Sequence, residues 1–164
     1  MKILCDTDIL SSLAKVNRLD LLERAFPNSE FVISDRIYDE LFKSKENGFD
    51  FPDRIFNICK VISMSEEEIK TYEKKRDDVK YFPLSNADLE SLIIARENNY
   101  PLLSNDYALL QKSTEESILA LDIYDLFRIL YVNDTISEEK INHILDEIEE
   151  ADFTVFKERD RIFE

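Results

Sequence analysis

The sequence predicts an α/β fold in which a central, mainly parallel sheet is flanked by helices. Short apolar runs alternate with longer segments of helical periodicity along the chain, and this alternation is typical of parallel sheets with crossover helices. The chain has 164 residues, 44% of them hydrophobic, which is enough for one sizeable core. We therefore expect residues 1–164 to form a single three-layer domain.

The predicted strands are the short apolar runs, which are rich in Ile, Val and Leu. We predict five strands, at Lys2–Cys5, Glu30–Ile33, Ile58–Ile62, Leu102–Ser104 and Ile118–Leu121. The tail segment Phe153–Phe156 is a candidate for a further strand at the edge of the sheet.

The predicted helices begin at capping residues and carry apolar side chains at helical spacing. One helix is predicted over Ile9–Ala25, and Pro27 marks its end. Asn47–Pro52 is predicted to be a loop. The other predicted helices are 35–46 after Ser34, 66–76 after Ser65, Asn86–Asn98 after Ser85, Tyr107–Lys112, Ile123–Tyr131 and Glu138–Glu150 after Ser137.

The composition excludes several kinds of site. Gly48 is the only glycine, so glycine-rich phosphate loops and dinucleotide fingerprints are absent from the sequence. Cys5 and Cys59 have no metal-ligand spacing and are interpreted as buried free thiols. His143 is the only histidine, so it cannot supply a zinc site or a catalytic triad alone.

The start of the chain and its hydropathy predict a cytoplasmic protein. The opening MKILCDTD has no apolar stretch of signal-peptide length. No apolar run approaches the roughly 20 residues that cross a membrane.

The net charge of −15 restricts binding to nucleic acids, because phosphates are repelled by an acidic surface. A nucleic-acid enzyme of this composition needs a local basic strip, bound cations or a basic partner. The candidate strip residues are Lys43, Lys45, Lys74, Lys75, Arg76 and Lys80.

Carboxylates lie where a parallel sheet places its sites, at the carboxyl ends of strands. Asp6 and Asp8 follow the first predicted strand, Glu40 lies in the helix after the second, and Asp106 follows the fourth. Asp88 lies in the first turn of the helix before the fourth strand. Convergent carboxylates repel, and a hard divalent cation relieves that repulsion. Each acid also has a structural interpretation, as a helix cap or a solvated side chain.

Two stretches near the start of the chain resemble the PIN-domain family of metal-dependent ribonucleases. "ILCDTDIL" is similar to the opening strand of that family, with its first acid at Asp6 and a hydroxyl residue at Thr7. "FVISDRIYDEL" is similar to the second strand and the helix that carries the second acid, Glu40.

The stretch "LSNADLESLIIARENNYPLLSND" is the most specific part of the resemblance, which covers nearly the whole chain. It places the third acid at Asp88, and Ser104 directly before the segment with the fourth acid, Asp106. The family commonly has Asn or Ser where this chain has Asp8. The extra carboxylate either strengthens metal binding or repels RNA.

The resemblance implies a strand order of 3-2-1-4-5 and an endoribonuclease activity that depends on Mg²⁺ or Mn²⁺. The ion would activate water for in-line attack on phosphorus. Many members of the family are toxins, so an antitoxin protein is an expected partner beside the RNA substrate, and a homodimer is plausible. The implied metal ligands are Asp6, Glu40, Asp88 and Asp106, with Thr7, Asp8 and Ser104 as auxiliary groups.

Two alternatives stay open at the level of sequence. A strand followed by D-x-D also opens phosphatases of the haloacid dehalogenase type, with Asp6 as nucleophile and Asp8 as general acid. In this chain Ile9 and Leu10 follow the pair in place of Gly-Thr. The other alternative is a catalytically weak PIN-like module that binds protein or nucleic acid, which the strong acidity favours.

Overall fold

The computed structural model describes residues 1–164 and contains a five-stranded sheet in the order β3-β2-β1-β4-β5. The strands are β1 (Lys2–Cys5), β2 (Glu30–Ser34), β3 (Cys59–Ile62), β4 (Leu102–Leu103) and β5 (Ala120–Leu121). All four neighbouring pairs are parallel. The predicted α/β class and strand order are therefore confirmed.

Ten α-helices and one short 3-10 turn connect and cover the strands. They are α1 (Thr7–Lys15), α2 (Asp20–Ala25), α3 (Asp35–Glu46), α4 (Phe51–Phe56), α5 (Glu66–Arg76), the 3-10 turn Val79–Tyr81, α6 (Asn86–Asn98), α7 (Tyr107–Glu115), α8 (Ile123–Val132), α9 (Glu138–Asp152) and α10 (Asp160–Phe163). None of these helices combines the length and the apolar character that a membrane span requires.

The sheet is buried on both faces. Ile3, Cys5 and Leu103 belong to the larger core cluster, whereas Leu4 packs in a second cluster with Ala95 of α6. Successive side chains of a strand point to opposite faces. Both faces therefore carry helices, which explains why the strand sequences are almost continuously apolar.

The pairing of the central strand sets the position of the site. β1 lies between β2 and β4, with Cys5 opposite Leu103. The Asp6 N–H donates to the carbonyl of Leu103 at 2.9 Å, and the Ser104 N–H donates to the carbonyl of Leu121 at 3.0 Å. These hydrogen bonds bring Asp6 and Ser104 side by side at the carboxyl edge of the sheet.

The single helix predicted over Ile9–Ala25 is wrong, because the segment forms the two helices α1 and α2. Asn17 has a φ of 56°, in the left-handed region, which ends an α-helix. The Arg18 N–H closes this turn on the carbonyl of Leu13 at 2.8 Å. Asparagine adopts this conformation more readily than most residues, so one local preference overrides the apolar periodicity.

The loop predicted at Asn47–Pro52 is also wrong at its end, because α4 begins at Phe51. Pro52 occupies the first turn, where its missing N–H leaves no hydrogen bond unmade. Phe51 and Ile55 are buried in the larger core cluster. Tertiary packing of these two side chains stabilises a helix that is too short to form alone.

The strand candidate Phe153–Phe156 is wrong. Phe153 has a left-handed φ of 53° and ends α9. The Phe156 N–H then donates to Oε1 of Glu149 at 2.7 Å, so a side chain accepts it in place of a neighbouring strand. The chain returns through α10, whose Ile162 is buried. The tail therefore folds back over the helices and adds nothing to the sheet.

Candidate metal centre

Asp6 lies at the centre of the predicted site. It is the N-cap of α1 and accepts a hydrogen bond from the Thr7 N–H at 2.8 Å. Its second oxygen accepts from the hydroxyl of Ser104 at 2.8 Å. The residue is only 6% exposed, and burial raises the pKa of its carboxyl to about 7, with the charges of Asp88 and Asp8 acting in the same direction.

Ser104 joins the ends of β1 and β4. Its hydroxyl donates to Asp6 and accepts from the Asp106 N–H at 3.0 Å. Asp106 then caps α7 by accepting from the Leu109 N–H at 2.8 Å. Asp106 is thus a helix cap, which was one of the interpretations open from the sequence, and Ser104 links its backbone to the carboxyl of Asp6.

Asp88 reaches the site from the first turn of α6. Its carboxylate accepts from the Ser85 N–H at 3.2 Å, and Ser85 accepts from the Asp88 N–H at 3.1 Å, which completes a capping box. The residue is buried. Burial raises the pKa of Asp88, and the charges of Asp106 and Asp8 raise it further. Asp88 is therefore both a helix cap and a member of the acidic group.

Glu40 lies on the exposed surface of α3, where it meets the start of α1. The Thr7 hydroxyl donates to Oε2 of Glu40 at 2.6 Å. Thr7 directly follows Asp6 in the sequence, so this hydrogen bond ties Glu40 to the residue next to Asp6. The contact spans 33 positions of sequence.

Asp8 is not the cap of α1, which is a correction to one of its predicted interpretations, because Asp6 fills that position. Asp8 is the second residue of the helix. Burial raises its pKa, as do the charges of Asp106 and Asp152, while Lys15 acts in the opposite direction. Asp8 therefore interacts electrostatically with the other acids of the site and also with the basic side chain of Lys15.

The donors of this group suit a hard divalent cation. All are carboxylate and hydroxyl oxygens, which Mg²⁺ and Mn²⁺ prefer. Burial is the main cause of the raised pKa values of Asp6, Asp8 and Asp88, and repulsion from neighbouring carboxylates adds to it. The structure contains no group of three or more Asp, Glu, His or Cys side chains that could together hold a metal ion. The donor types of the set fit a hard cation, but their arrangement in this structure does not bring three of them into a group that could hold one.

A cleft of about 820 Å³ opens beside the acids. Asp8 lines it, together with Ser44 of α3 and the residues Asn105 and Tyr107 on either side of Asp106. Its far wall is the C-terminal tail, residues 152 and 154–158 with Arg161. None of the six basic residues predicted as a strip lines this cleft.

Sequence reasoning missed an ion pair that joins α3 to α6. Glu90 is buried and accepts from both the backbone N–H and the guanidinium of Arg36. The guanidinium also lies 4.6 Å from the ring centre of Tyr72. A charged residue inside the buried segment 87–95 of α6 was the available signal. The pair fixes the helix of Glu40 against the helix of Asp88.

The parallel sheet of order 3-2-1-4-5, with acids at the carboxyl ends of β1 and β4, defines a PIN-like α/β protein. The chain belongs to the PIN-domain family, because the family model DUF3368, described as a PIN domain, matches residues 2–159. The comparison with curated proteins gave no match.

Solved structures with the same fold include two VapBC proteins. VapBC-1 from nontypeable Haemophilus influenzae is similar with a TM-score of 0.59 and 23% identity, covering 74% of this chain and 98% of that one. VapBC2 from Rickettsia felis, bound to a DNA fragment from its promoter, has a TM-score of 0.58, 17% identity and the same two coverages of 74% and 98%. A PilT N-terminus domain protein, SSO1118 from Sulfolobus solfataricus P2, has a TM-score of 0.55 and 20% identity, covering 77% of this chain and 90% of that one.

Proposed function

We propose that this PIN-domain chain is an endoribonuclease that depends on Mg²⁺ or Mn²⁺. The observation that carries the proposal is the buried carboxyl of Asp6, whose pKa rises to about 7 through burial and the neighbouring acids. A buried acid that is hard to ionise is destabilising unless a positive group joins it. The oxygen-only chemistry of its neighbours supports a hard divalent cation in that role.

In this proposal the ion is held by four carboxylates from four helix starts or helix faces, namely Asp6, Glu40, Asp88 and Asp106. When bound, the ion supplies charge stabilisation for the phosphoryl group and a lower pKa for water. Ser104 holds one oxygen of Asp6 and the backbone of Asp106. Thr7 holds Glu40. These hydroxyls orient the carboxylates before RNA arrives, which is the positioning that a hydrolytic site requires.

Asp8 takes an auxiliary role at the mouth of the site. It is the member of the acidic group that lines the cleft, and the charges of Asp8 and Asp106 act on one another. Its position suits orientation of a water molecule or a second contact to the cation. The proposal treats residues 1–164 as one PIN-like domain.

The solved relatives support a further part of the proposal, in which the chain is the toxin of a toxin–antitoxin pair. Two of them are VapBC proteins. A partner protein that covers the acids would act as antitoxin, and both would work in the cytoplasm. A homodimer is a compatible assembly, since exposed apolar residues such as Val79 and Phe82 are available to a second copy.

The decisive experiment is Mn²⁺-dependent cleavage of labelled single-stranded RNA by the wild-type protein and by Asp6→Asn. We expect cleavage by the wild type, none after chelation with EDTA, and a loss of at least 100-fold in Asp6→Asn, in the range of removing a major catalytic group. Asp39→Asn is the matched control, because Asp39 is exposed on α3 and should leave cleavage unchanged. Activity in none of the proteins would reject the nuclease.

The same protein samples separate the alternatives. Release of p-nitrophenol from p-nitrophenyl phosphate, lost in Asp6→Asn, would favour a phosphatase in which Asp6 is the nucleophile. A protein without either activity that still binds RNA or a partner protein would be an interaction module. The net charge of −15 is the observation that favours this second candidate.

A further inference from the structure

The cleft of about 820 Å³ is lined by Asp8 of the acidic group, whereas none of the four proposed metal ligands lines it. Its lining includes a residue close to three of the four proposed metal ligands: Asp8, two positions after Asp6, then Ser44 one turn after Glu40, and Tyr107 directly after Asp106. A chain that lies in the cleft therefore contacts Asp8 and sequence neighbours of the proposed ligands. The opposite wall is the C-terminal tail, which the sequence did not associate with the site.

Most charges in the cleft are already neutralised by ion pairs. Lys15 bonds Asp152 at 2.8 Å. Arg161 contacts Asp122 at 3.2 Å and Glu158 at 3.1 Å. Among the charged residues of the lining, this leaves Asp8, which belongs to the acidic group, and Lys157, which has no carboxylate within 4 Å.

Lys157 is therefore the one unpaired cation of the cleft. It belongs to the C-terminal tail segment that lines the cleft. A ligand that carries many phosphates would find a single free positive charge here. Strong binding by the cleft must come from another kind of contact.

Aromatic side chains provide that contact. Tyr107 is 78% exposed and Phe49 is 55% exposed, and both line the cleft. Phe156 and Tyr124 pack edge to face in its wall at 5.9 Å. Burying an exposed aromatic ring against a ligand is energetically favourable. Such rings also provide surfaces on which unpaired bases stack. Tyr107 directly follows Asp106, so this stacking surface adjoins a residue of the proposed metal site.

Uncharged polar groups complete the lining. Ser11, Ser44 and Asn105 have hydrogen-bonding side chains that face the cleft without adding charge. The side-chain oxygen Oδ1 of Asn105 accepts a hydrogen bond from the Ile123 N–H at 2.9 Å. This leaves the side-chain amide hydrogens of Asn105 free. Such groups suit the 2′-hydroxyl of RNA.

We propose that this cleft binds single-stranded RNA by base stacking on Tyr107 and Phe49, with Lys157 as its only phosphate contact. The inference rests on the proposed function, since it names how the substrate of that site is held. Duplex RNA is excluded as the occupant, because its bases are stacked inside the helix and its recognition depends on many backbone contacts. The proposal explains how so acidic a protein can hold RNA.

The proposal predicts how strongly the affinity for RNA depends on salt concentration. For single strands the logarithm of the affinity falls with the logarithm of salt with a slope of about −0.7 per phosphate contact. One contact gives a slope of about −0.7, whereas an RNA that follows a basic strip of six residues gives about −4.

The test is fluorescence anisotropy of a labelled single-stranded 12-nucleotide RNA, titrated with the intact protein in EDTA at several salt concentrations. We expect Tyr107→Ala to weaken binding about tenfold or more, and Tyr107→Phe to leave it within about twofold, because stacking needs the ring and not the hydroxyl. Lys157→Ala should weaken binding a few-fold at low salt and bring the slope close to zero.

Matched controls lie outside the cleft. Phe82 is an exposed aromatic residue and Lys140 is a lysine without a carboxylate partner, and neither lines the cleft. Phe82→Ala and Lys140→Ala should bind RNA as the wild type does. Circular dichroism of all variants separates weak binding from loss of fold.

Three results would overturn the inference. One is unchanged affinity in both Tyr107→Ala and Lys157→Ala, which would leave the cleft as a protein-docking surface. Another is a salt slope steeper than about −2, which would place the RNA on a basic surface elsewhere. The third is tighter binding of a duplex than of the single strand. Because binding is measured without divalent ions, loss of cleavage with these binding effects intact would reject the nuclease alone.

Discussion

Asp6→Asn should stabilise the metal-free protein at high pH. The Asp6 carboxyl is buried, and its pKa rises from 3.8 to about 7 mainly through that burial. The unfolded chain loses the proton near pH 3.8, whereas the folded protein keeps it until about pH 7. The folded state therefore binds more protons in this window, and the free energy of unfolding falls as pH rises through it and is constant above.

The magnitude follows from the same two values. Each pKa unit corresponds to about 1.4 kcal/mol, so the rise from 3.8 to about 7 costs the folded state about 4 kcal/mol above pH 7. Asparagine retains the N-cap role, and the pKa of about 7 already includes the hydrogen bond by which Ser104 stabilises the ionised carboxylate. The expected gain in Asp6→Asn is therefore about 4 kcal/mol at pH 8.5 and none at pH 4.

Urea denaturation in EDTA at pH 4, 7 and 8.5 measures this difference. Asp39→Asn, on the exposed face of α3, is the control and should match the wild type at every pH. Mn²⁺ should stabilise the wild type and leave Asp6→Asn unchanged, since binding to the folded state alone raises stability. The reasoning is refuted if Asp6→Asn is less stable than the wild type at pH 8.5, or if the difference does not depend on pH.

Three further substitutions test contacts around the site by urea denaturation. Ser104→Ala removes two buried hydrogen bonds and should lower the free energy of unfolding by about 2 kcal/mol. Arg36→Ala leaves buried Glu90 without its charged partner and should cost about 2 kcal/mol, less than for a fully buried pair because Arg36 is partly exposed. Asn17→Ala should cost about 1 kcal/mol because of the left-handed φ of 56°, whereas Asn17→Gly should not.

Each of these substitutions has a matched comparison. Ser113 is a buried serine whose hydroxyl makes a single hydrogen bond, to Leu109, so Ser113→Ala should be milder than Ser104→Ala. Arg76 is exposed and lies 3.9 Å from Asp77, so Arg76→Ala should be neutral. Equal losses within either pair, or equal stability of the Ala and Gly variants at position 17, would contradict the structural interpretation.

Local patterns were enough for much of the fold. The apolar runs of β1 and β2 and the serine caps of α3, α5, α6 and α9 are short-range signals, and the helix starts follow them. The predictions that were wrong lie where packing or one residue overrides the pattern. The left-handed conformation of Asn17 divides a segment of continuous helical periodicity into two helices. The helix that begins at Phe51 forms because the ring of Phe51 packs in the core.

The sequence by itself determined which residue types are available for chemistry. It excluded glycine loops and histidine-based sites, and the order of its acids along the strands predicted the set around Asp6. These are properties of composition and spacing. They do not depend on how distant segments meet.

The tertiary structure decided how those acids behave. The Ser104 hydroxyl reaches Asp6 across 98 positions, and Asp152 reaches Lys15 across 137. Burial and the neighbouring carboxylates then set the pKa of Asp6, and ion pairs leave Lys157 as the free cation of the cleft. Hydrogen bonds and charges act over a few ångströms in space, so their effects follow from the folded arrangement and cannot be read from sequence separation.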